Sequence, residues 1–317
     1  MMPGWINKAL QTAVRRTGVI VAVLWGAATI AFIAVKLIPG DPVSILAGGE
    51  NVVDEAERSA LIHQYGLDQP LFVQYAHYLG KALVGDFGQS YQYRQPVSEV
   101  IYEAAGPTLQ LAGTAILIAL LLAISIALAT AGRRRGLARL SSGVELILLS
   151  TPVYWIGILL LTVFSFNLQW FPVTGNDGLS ALVLPAIALS LPLAALLSQV
   201  LRDGLEEALS QPFSLTVRAR GVGETVLRVR HGLRHAALAA STLTGTLLAG
   251  TLGGSILTET VFGRSGIGQI TLQAIKTRDM PLVLGLVMLS ALVFVIVNLL
   301  VDALYLMIDP RLRRTGL

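Results

Sequence analysis

Long apolar runs constrain this chain more than any other feature, because each run is long enough to cross a bilayer as a helix. About 20 apolar residues span the hydrocarbon layer. Six stretches of the 317-residue sequence reach that length, at roughly 19–38, 109–130, 144–164, 182–201, 236–258 and 282–308. Only 13% of the residues are charged, against about 25% in a soluble domain. The sequence therefore predicts an all-α integral membrane protein with six spans, and excludes a soluble enzyme, a nucleic-acid-binding module and a disordered chain.

Few charges interrupt the predicted spans. Lys36, Glu145 and Asp302 are the formal charges inside them, and each lies within about two turns of a span end, where a long side chain reaches the interface. Pro185 and Pro192 predict a kink in the fourth span. The first apolar run is longer than the core of a signal peptide, and no small-residue cleavage site follows it, so we expect a retained anchor.

The distribution of Lys and Arg predicts the orientation. The cytoplasmic set of loops is predicted to comprise 1–18, 131–143, 202–235 and 309–317. These loops hold 16 basic residues in about 74 positions, whereas the loops on the opposite side hold 6 in about 110. By the positive-inside rule both termini are cytoplasmic. The net charge of +4 then reports orientation, and it does not indicate nucleic acid as a partner.

The segment 39–108 is too long for a simple connector and predicts a small external cap of helices. Residues 54–65 have the pattern of an amphipathic helix ended by Gly66, and a second helix is expected over about 70–83. The segment carries nine acidic residues and several tyrosines. Composition alone supports a solvated face and a docking surface equally; aromatic residues beside acids favour a protein or ligand contact.

The cytoplasmic segment 202–235 predicts a short basic helix between two turns. The fourth span continues to about Pro212, a helix is expected over 213–220, and Gly221 suits the position just after a helix end. A rigid basic helix beneath the membrane can contact a cytosolic protein partner. The alternative is that its arginines bind anionic lipid, and composition gives the two interpretations equal weight.

The fifth span is rich in small residues. Ser241, Gly245, Ala249 and Gly253 recur every four positions. Such a stripe allows helix backbones to approach closely, and the same stripe could line a passage through the membrane. Close packing is the default interpretation, and the passage stays open as the alternative.

Several chemistries are absent from the sequence. No G-x-x-x-x-G-K-[ST] motif occurs, so the chain cannot hydrolyse ATP through a P-loop, and without Cys no thiolate or cysteine metal site is possible. The segment 263–266 matches the G-x-S-G of intramembrane proteases, but no span contains a His to act as base. No ionisable residue lies at the centre of a span, where an ion-coupled carrier normally needs one. We therefore predict no catalytic, cofactor or metal residues, and an energy source on another subunit.

Several motifs occur in the order typical of one transporter family. They are L-I-P-G-D-P at 37–42, G-L-D-Q-P at 66–70, G-D-F-G at 85–88, T-P-V-Y-W-I-G at 151–157, W-F-P-V-T-G at 170–175, E-T-V-F at 259–262 and D-P-R at 309–311. On these residues the chain resembles the permease subunit of dipeptide, oligopeptide and nickel ABC importers, the permease B group. The resemblance covers nearly the whole chain and implies the type I importer permease fold, with a core at about 105–308.

The resemblance also implies roles for the basic segment. The stretches R-A-R-G-V at 218–222 and H-G-L-R at 231–234 are similar to this group's EAA loop, which inserts as a coupling helix into a groove of the ATP-hydrolysing subunit. The residues expected to couple are Arg218, Ala219, Arg220, Gly221, Val222, Glu224, His231 and Arg234. Two departures are His235, where Asn is usual, and Ala239, where Pro often stands.

Partners and substrate follow from the same resemblance. It implies a second homologous permease, two ATP-binding subunits that hold ATP-Mg, an external substrate-binding protein, and the lipid of a bacterial inner membrane. Candidates for the external gate or receptor contact are Asp41, Pro42, Asp68, Asp86 and Glu259. Peptides are the expected substrate, import of nickel or a metal chelate is the alternative within the family, and an ion-coupled carrier is the alternative outside it.

Overall fold

The structure, a computed structural model, describes residues 4–37, 55–64, 68–132 and 135–308. These residues are mostly helical and contain no extended strand, only an isolated β-bridge between Gln89 and Pro96. The helices are α1 (Gly4–Leu37), α2 (Glu55–Gln64), α3 (Leu71–Leu83), α4 (Val97–Thr130), α5 (Arg135–Ser150), α6 (Val153–Leu160), α7 (Ser180–Ser210), α8 (Pro212–Ala219), α9 (Glu224–Val226), α10 (Leu233–Gly254), α11 (Ile256–Val261), α12 (Ile267–Lys276) and α13 (Met280–Ile308). The all-α prediction is confirmed. Two π-helical turns, Leu161–Asn167 and Leu227–Gly232, continue α6 and α9.

The chain forms two compact units. The first contains Met1–Gly106 and Gln269–Val295, and the second contains Pro107–Gly268 and Ile296–Leu317. In the first unit, the cap helix α3 lies against α1. The Tyr75 hydroxyl is 2.6 Å from the Thr29 hydroxyl, and the Tyr78 ring stacks on Phe32 with centroids 5.8 Å apart. Lys36 donates to Gln74 at 2.6 Å, so polar and aromatic contacts together hold the cap.

A buried aspartate connects the two chain segments of the first unit. Asp279 is 0% exposed and accepts hydrogen bonds from the Ser90 hydroxyl, the Gln92 N–H at 3.0 Å and the Leu282 N–H at 3.2 Å. The last of these bonds caps the first turn of α13, where a negative charge is favoured. Asp279 therefore fixes the start of α13 to the turn that precedes α4.

The core of the second unit is built from small side chains. Alanines of α4, α7 and α10 pack with leucines of α7 in one buried cluster, and these residues are Ala119, Ala123, Ala127, Ala131, Ala194, Leu197, Leu201, Leu205, Ala236 and Ala240. The approach is closest at Gly204, where an added Cβ would lie 2.9 Å from the Ala236 Cα. Small residues at this interface allow the backbones of α7 and α10 to meet, as membrane helices require.

The predicted third span, 144–164, is not one straight helix. The structure breaks it between Ser150 and Val153, and the two halves are bent by 99°. Pro152 explains the break, because proline lacks the N–H needed for helical bonding and disfavours a helical conformation at the preceding residue. The sequence predicts a kink at Pro185 and Pro192. In the structure both prolines lie inside one continuous helix, α7.

Length and composition identify fewer spans than the sequence predicts. Four described helical segments are long and apolar enough to cross a membrane, namely Val14–Leu37, Val97–Thr130, Ser180–Ser210 and Met280–Leu300. A fifth results if the bent pair counts as one span. The predicted fifth span, 236–258, corresponds to α10 and the start of α11, and it is not in that set. A total of six spans stays a prediction.

Candidate functional site

The short basic helix α8 follows directly from the end of α7. Gln211 is extended, with φ −74° and ψ 152°, as expected for a residue that precedes proline. Pro212 then begins α8, where its missing N–H costs nothing. The predicted helix over 213–220 is thus confirmed to within a residue. We call α8 the coupling helix from here on, after the role that the family resemblance predicts for it.

Two contacts fix the coupling helix to the longer helices beside it. The Ser214 hydroxyl, fully buried, donates to the Ala208 carbonyl at 2.9 Å, and this bond ties the helix to the last turns of α7. The Phe213 ring stacks on His235 of α10, with centroids 5.0 Å apart and an interplanar angle of 27°. His235 is one of the two departures from the family pattern, and the structure gives it a packing role.

Gly221 ends the coupling helix in the predicted conformation. Its φ is +77°, a left-handed value that glycine adopts without the steric cost of a Cβ. Its N–H donates to the Arg218 carbonyl at 2.9 Å. Gly223, with φ −66° and ψ 151°, then begins α9. The chain returns toward α10 through Leu227, which is 0% exposed, so the turn is anchored on both sides.

Arg218 and Glu224 bind each other across this turn. The Arg218 Nε donates to the Glu224 carboxylate at 2.7 Å, and both side chains remain partly exposed. This hydrogen bond raises the pKa of Arg218 and lowers the pKa of Glu224. Arg218 therefore already binds an acid of its own chain.

The outward side of the coupling helix combines apolar and basic side chains. Leu215 is 68% exposed, and Thr216, Ala219 and Arg220 are also exposed. Val226 and Val229 beyond the turn are exposed as well. A buried anchor beneath an exposed apolar and basic surface is the arrangement that a rigid docking element requires.

A buried ion pair, which the sequence analysis did not anticipate, joins α5 to α7. Arg202 donates from Nη1 and Nη2 to the two oxygens of Glu145, at 2.9 and 2.7 Å. Ser141 and Ser198 donate to the same carboxylate at 2.7 and 3.0 Å. Glu145 is 2% exposed, so the expectation that it reaches the interface is wrong. Its charge is compensated in place, which is what a charge within a membrane segment needs.

Glu259, predicted as an external gate or receptor contact, is 0% exposed, and its role at a gate stays a prediction. Its carboxylate accepts hydrogen bonds from Thr108 at 2.7 Å, from Ser255 at 3.0 Å and from the Gly268 N–H at 2.8 Å. An added Cβ on Gly268 would lie 2.5 Å from the backbone of Ile256. The glycine therefore allows its own N–H to reach the carboxylate.

The other candidate residues are spread over the molecule. The exposed Asp68 carboxylate lies 2.9 Å from the His63 Nδ1, and Asp86 accepts the Gly88 N–H at 2.9 Å in a turn. Asp41 and Pro42 lie outside the described residues. Among the remaining coupling candidates, Ala219, Arg220 and Arg234 are exposed, and Val222 and His231 are half-buried.

The small-residue stripe lies on α10. Ser241, Gly245, Ala249 and Gly253 all fall within this helix, and Gly245 is buried. α10 approaches α7 closely at Ala236, opposite Gly204. Whether the stripe lines a passage stays a prediction. In the described residues no group of three or more His, Asp or Glu side chains could hold a metal ion.

Comparison with known proteins identifies two families that match this chain. The family described as binding-protein-dependent transport system inner membrane component matches residues 115–314, and its N-terminal companion family matches residues 9–112. The glutathione transport system permease protein GsiC of Salmonella typhimurium (strain LT2) is 38% identical over 288 residues, covering 90% of this chain and 93% of that protein. GsiC of Escherichia coli (strain K12) is 34% identical over 305 residues, covering 96% and 99%.

A solved structure is also similar. The crystal structure of an amino acid ABC transporter with histidines superposes with a TM-score of 0.49 at 17% identity, covering 68% of this chain and 94% of that chain.

The family matches show a membrane-embedded permease, a non-catalytic subunit that functions in a complex with other transporter subunits. The chain belongs to the family of inner membrane components of binding-protein-dependent transport systems. It is accordingly a multi-pass inner membrane protein and the permease of an ABC importer.

Proposed function

We propose that this chain forms half of the pathway of an ATP-driven importer of small peptides, and that the coupling helix receives the force. The observation that carries the proposal is the coupling helix itself, whose exposed face combines Leu215 and Arg220 while Ser214 binds α7 beneath it. A force applied to the exposed face therefore passes into α7 without deforming a flexible loop.

The partners complete the mechanism. Two ATP-binding subunits, holding ATP-Mg, each bind one coupling helix in a groove, and a second homologous permease encloses the other half of the pathway. An external substrate-binding protein delivers the solute, and closure of the ATP-binding subunits rocks the two permeases toward the outside. Lipid surrounds the exposed apolar faces of the spans.

The substrate class is inferred from relatives. Proteins 38% and 34% identical over nearly the whole chain are named for glutathione transport, and glutathione is a peptide-like molecule with two carboxylates. We infer that this importer carries glutathione or similarly small peptides. Proteoliposomes that contain the complete transporter should accumulate labelled glutathione when ATP and the loaded receptor are present. Accumulation of nickel ions without peptide would refute the substrate assignment.

Two substitutions test the coupling helix in the complete complex. Gly221→Pro removes the left-handed turn, because proline fixes φ near −65°, and Arg220→Glu reverses an exposed charge on the docking face. Both should abolish the stimulation of ATP hydrolysis by the loaded receptor. Arg139→Glu makes the same charge change at an exposed position of α5 and should retain stimulation. Wild-type stimulation in both test variants would refute the coupling role.

A further inference from the structure

Arg264 is a buried guanidinium that forms no ion pair among the described residues. It is 1% exposed and is among the largest fully buried side chains of the described chain. Its Nη1 donates to the Ala181 carbonyl at 3.3 Å, whereas Nε and Nη2 have no hydrogen-bond partner in the described structure. Burial lowers the pKa of Arg264, but an arginine side chain stays protonated in proteins. The charge therefore persists where a lone charge is costly.

The carboxylate whose charge acts on Arg264 is Glu259, and it is already engaged. Thr108, Ser255 and the Gly268 N–H donate to its oxygens. None of the described ion pairs includes Arg264. Two unused donors of one planar guanidinium form the fork that carboxylates occupy with two parallel hydrogen bonds.

Two further buried polar atoms lack hydrogen-bond partners in the described structure, the Asn176 side-chain oxygen and the Thr258 hydroxyl. Both lie on segments whose backbones bond to Phe262, two residues before Arg264: the Gly175 N–H donates to the Phe262 carbonyl at 3.4 Å, and the Phe262 N–H donates to the Thr258 carbonyl at 3.1 Å. Because buried polar atoms are normally satisfied, the two unused donors of Arg264 indicate a site that a ligand completes.

We propose that Arg264 binds the carboxylate of a peptide-like substrate at the external end of the permease. Both Arg264 and Asn176 lie in loops that the Lys and Arg distribution places outside the membrane. The inference rests on the proposed function, because it takes the substrate to be a small peptide, and it adds the residue that recognises the peptide's negative end.

The test compares two substrates in the complete transporter. Proteoliposomes take up labelled glutathione, or its analogue with the glycine carboxylate converted to an amide, from the same loaded receptor. Arg264→Gln removes the charge, Arg264→Lys retains it without the planar fork, and Arg94→Gln is the control that removes an exposed arginine of the cap. Because the receptor is unchanged, any variant that alters the ratio of acid to amide uptake does so through the membrane complex.

We expect Arg264→Gln to lower the uptake of the acid about tenfold relative to the amide, Arg264→Lys to lie between it and wild type, and Arg94→Gln to match wild type. The uptake comparison requires a receptor that binds both the acid and the amide. A second measurement does not depend on the receptor: in the receptor-free complex, Arg264→Gln should weaken equilibrium binding of labelled glutathione about tenfold.

Three results would overturn the inference. The first is equal loss of both substrates in Arg264→Gln, which indicates a structural role alone. The second is an unchanged ratio with unchanged glutathione binding. The third is that the purified Arg264→Gln complex lacks the second permease, which would show that Arg264 binds a carboxylate of that subunit and not one of the substrate. If the wild-type transporter accumulates no peptide at all, the proposed function itself fails; uptake by wild type with a wild-type ratio in Arg264→Gln refutes only the role of Arg264.

Discussion

The ion pair between Glu145 and Arg202 permits a quantitative test of how the second unit is held together. Glu145→Gln removes the negative charge and leaves a guanidinium whose side chain is only 10% exposed without compensation. Arg202→Met likewise leaves the Glu145 carboxylate buried without a compensating charge. Removing one partner of a buried pair typically costs about 3–5 kcal/mol, since the remaining charge keeps its desolvation cost.

The geometry supports that full cost rather than a surface value. Glu145 accepts four side-chain hydrogen bonds, at 2.7 to 3.0 Å, from two serines and both Nη atoms of Arg202. An exposed pair contributes only about 0–1 kcal/mol. Replacing both residues with apolar ones removes both desolvation costs, and such replacements are often neutral or stabilising. We therefore expect Glu145→Met with Arg202→Met to recover most of the loss seen in each single variant.

Equilibrium unfolding of the detergent-purified transporter by SDS titration measures these differences, and the four proteins form a double-mutant cycle. Arg218→Met is the matched control, because it removes an arginine from an exposed pair and should cost far less than either single variant of the buried pair. The reasoning would be refuted if both single variants cost no more than this control. It would also be refuted if the double variant lost the sum of the two single losses.

Two further predictions concern the coupling turn and the glycine beside Glu259. The hydrogen bond from Arg218 holds the pKa of Glu224 below its ordinary value of 4.5. The pair is therefore fully formed above pH 4.5 and is lost as the pH falls through the lowered pKa. NMR titration of Glu224 measures this pKa, and a value at or above 4.5 would contradict the prediction. Gly268→Ala would place a Cβ 2.9 Å from Glu259 Oε2 and should destabilise the protein by about 1–3 kcal/mol, measured by the same unfolding titration. Gly250→Ala, where a Cβ meets nothing within 4 Å, is its control and should unfold nearly as wild type does.

Local signals in the sequence predicted the coupling helix well. Proline at the first position of a short helix and glycine just after its end act through a fixed φ and a permitted positive φ, and both effects are properties of single residues. The helix start at Pro212 and the φ of Gly221 therefore agree with the prediction. The all-α class was equally accessible, because the long apolar runs allow no other structure in a membrane.

Contacts between distant residues were not accessible in the same way. Glu145 and Arg202 are 57 positions apart, and Thr108 and Glu259 are 151 apart. Nothing in the period of either helix specifies that these pairs meet. Two opposite charges inside or at the end of predicted spans were a usable signal for the first pair, since an uncompensated charge there is costly. For Glu259, the sequence does not indicate that Thr108, Ser255 and the Gly268 N–H donate to its carboxylate, because these contacts form only in the folded chain.

The proposed sites for force and for substrate lie at the two ends of one helix. α7 runs from Ser180 to Ser210, about 46 Å at the rise of an α-helix. At its first turn, the Ala181 carbonyl accepts from Arg264, and near its last turn the Ala208 carbonyl accepts from Ser214 of the coupling helix. Between these points Arg202 binds Glu145 of α5. A displacement of the coupling helix must therefore either break the Ser214 bond or move α7 with it. Any axial movement of α7 relative to the Arg264 turn then changes the distance between Ala181 and Arg264.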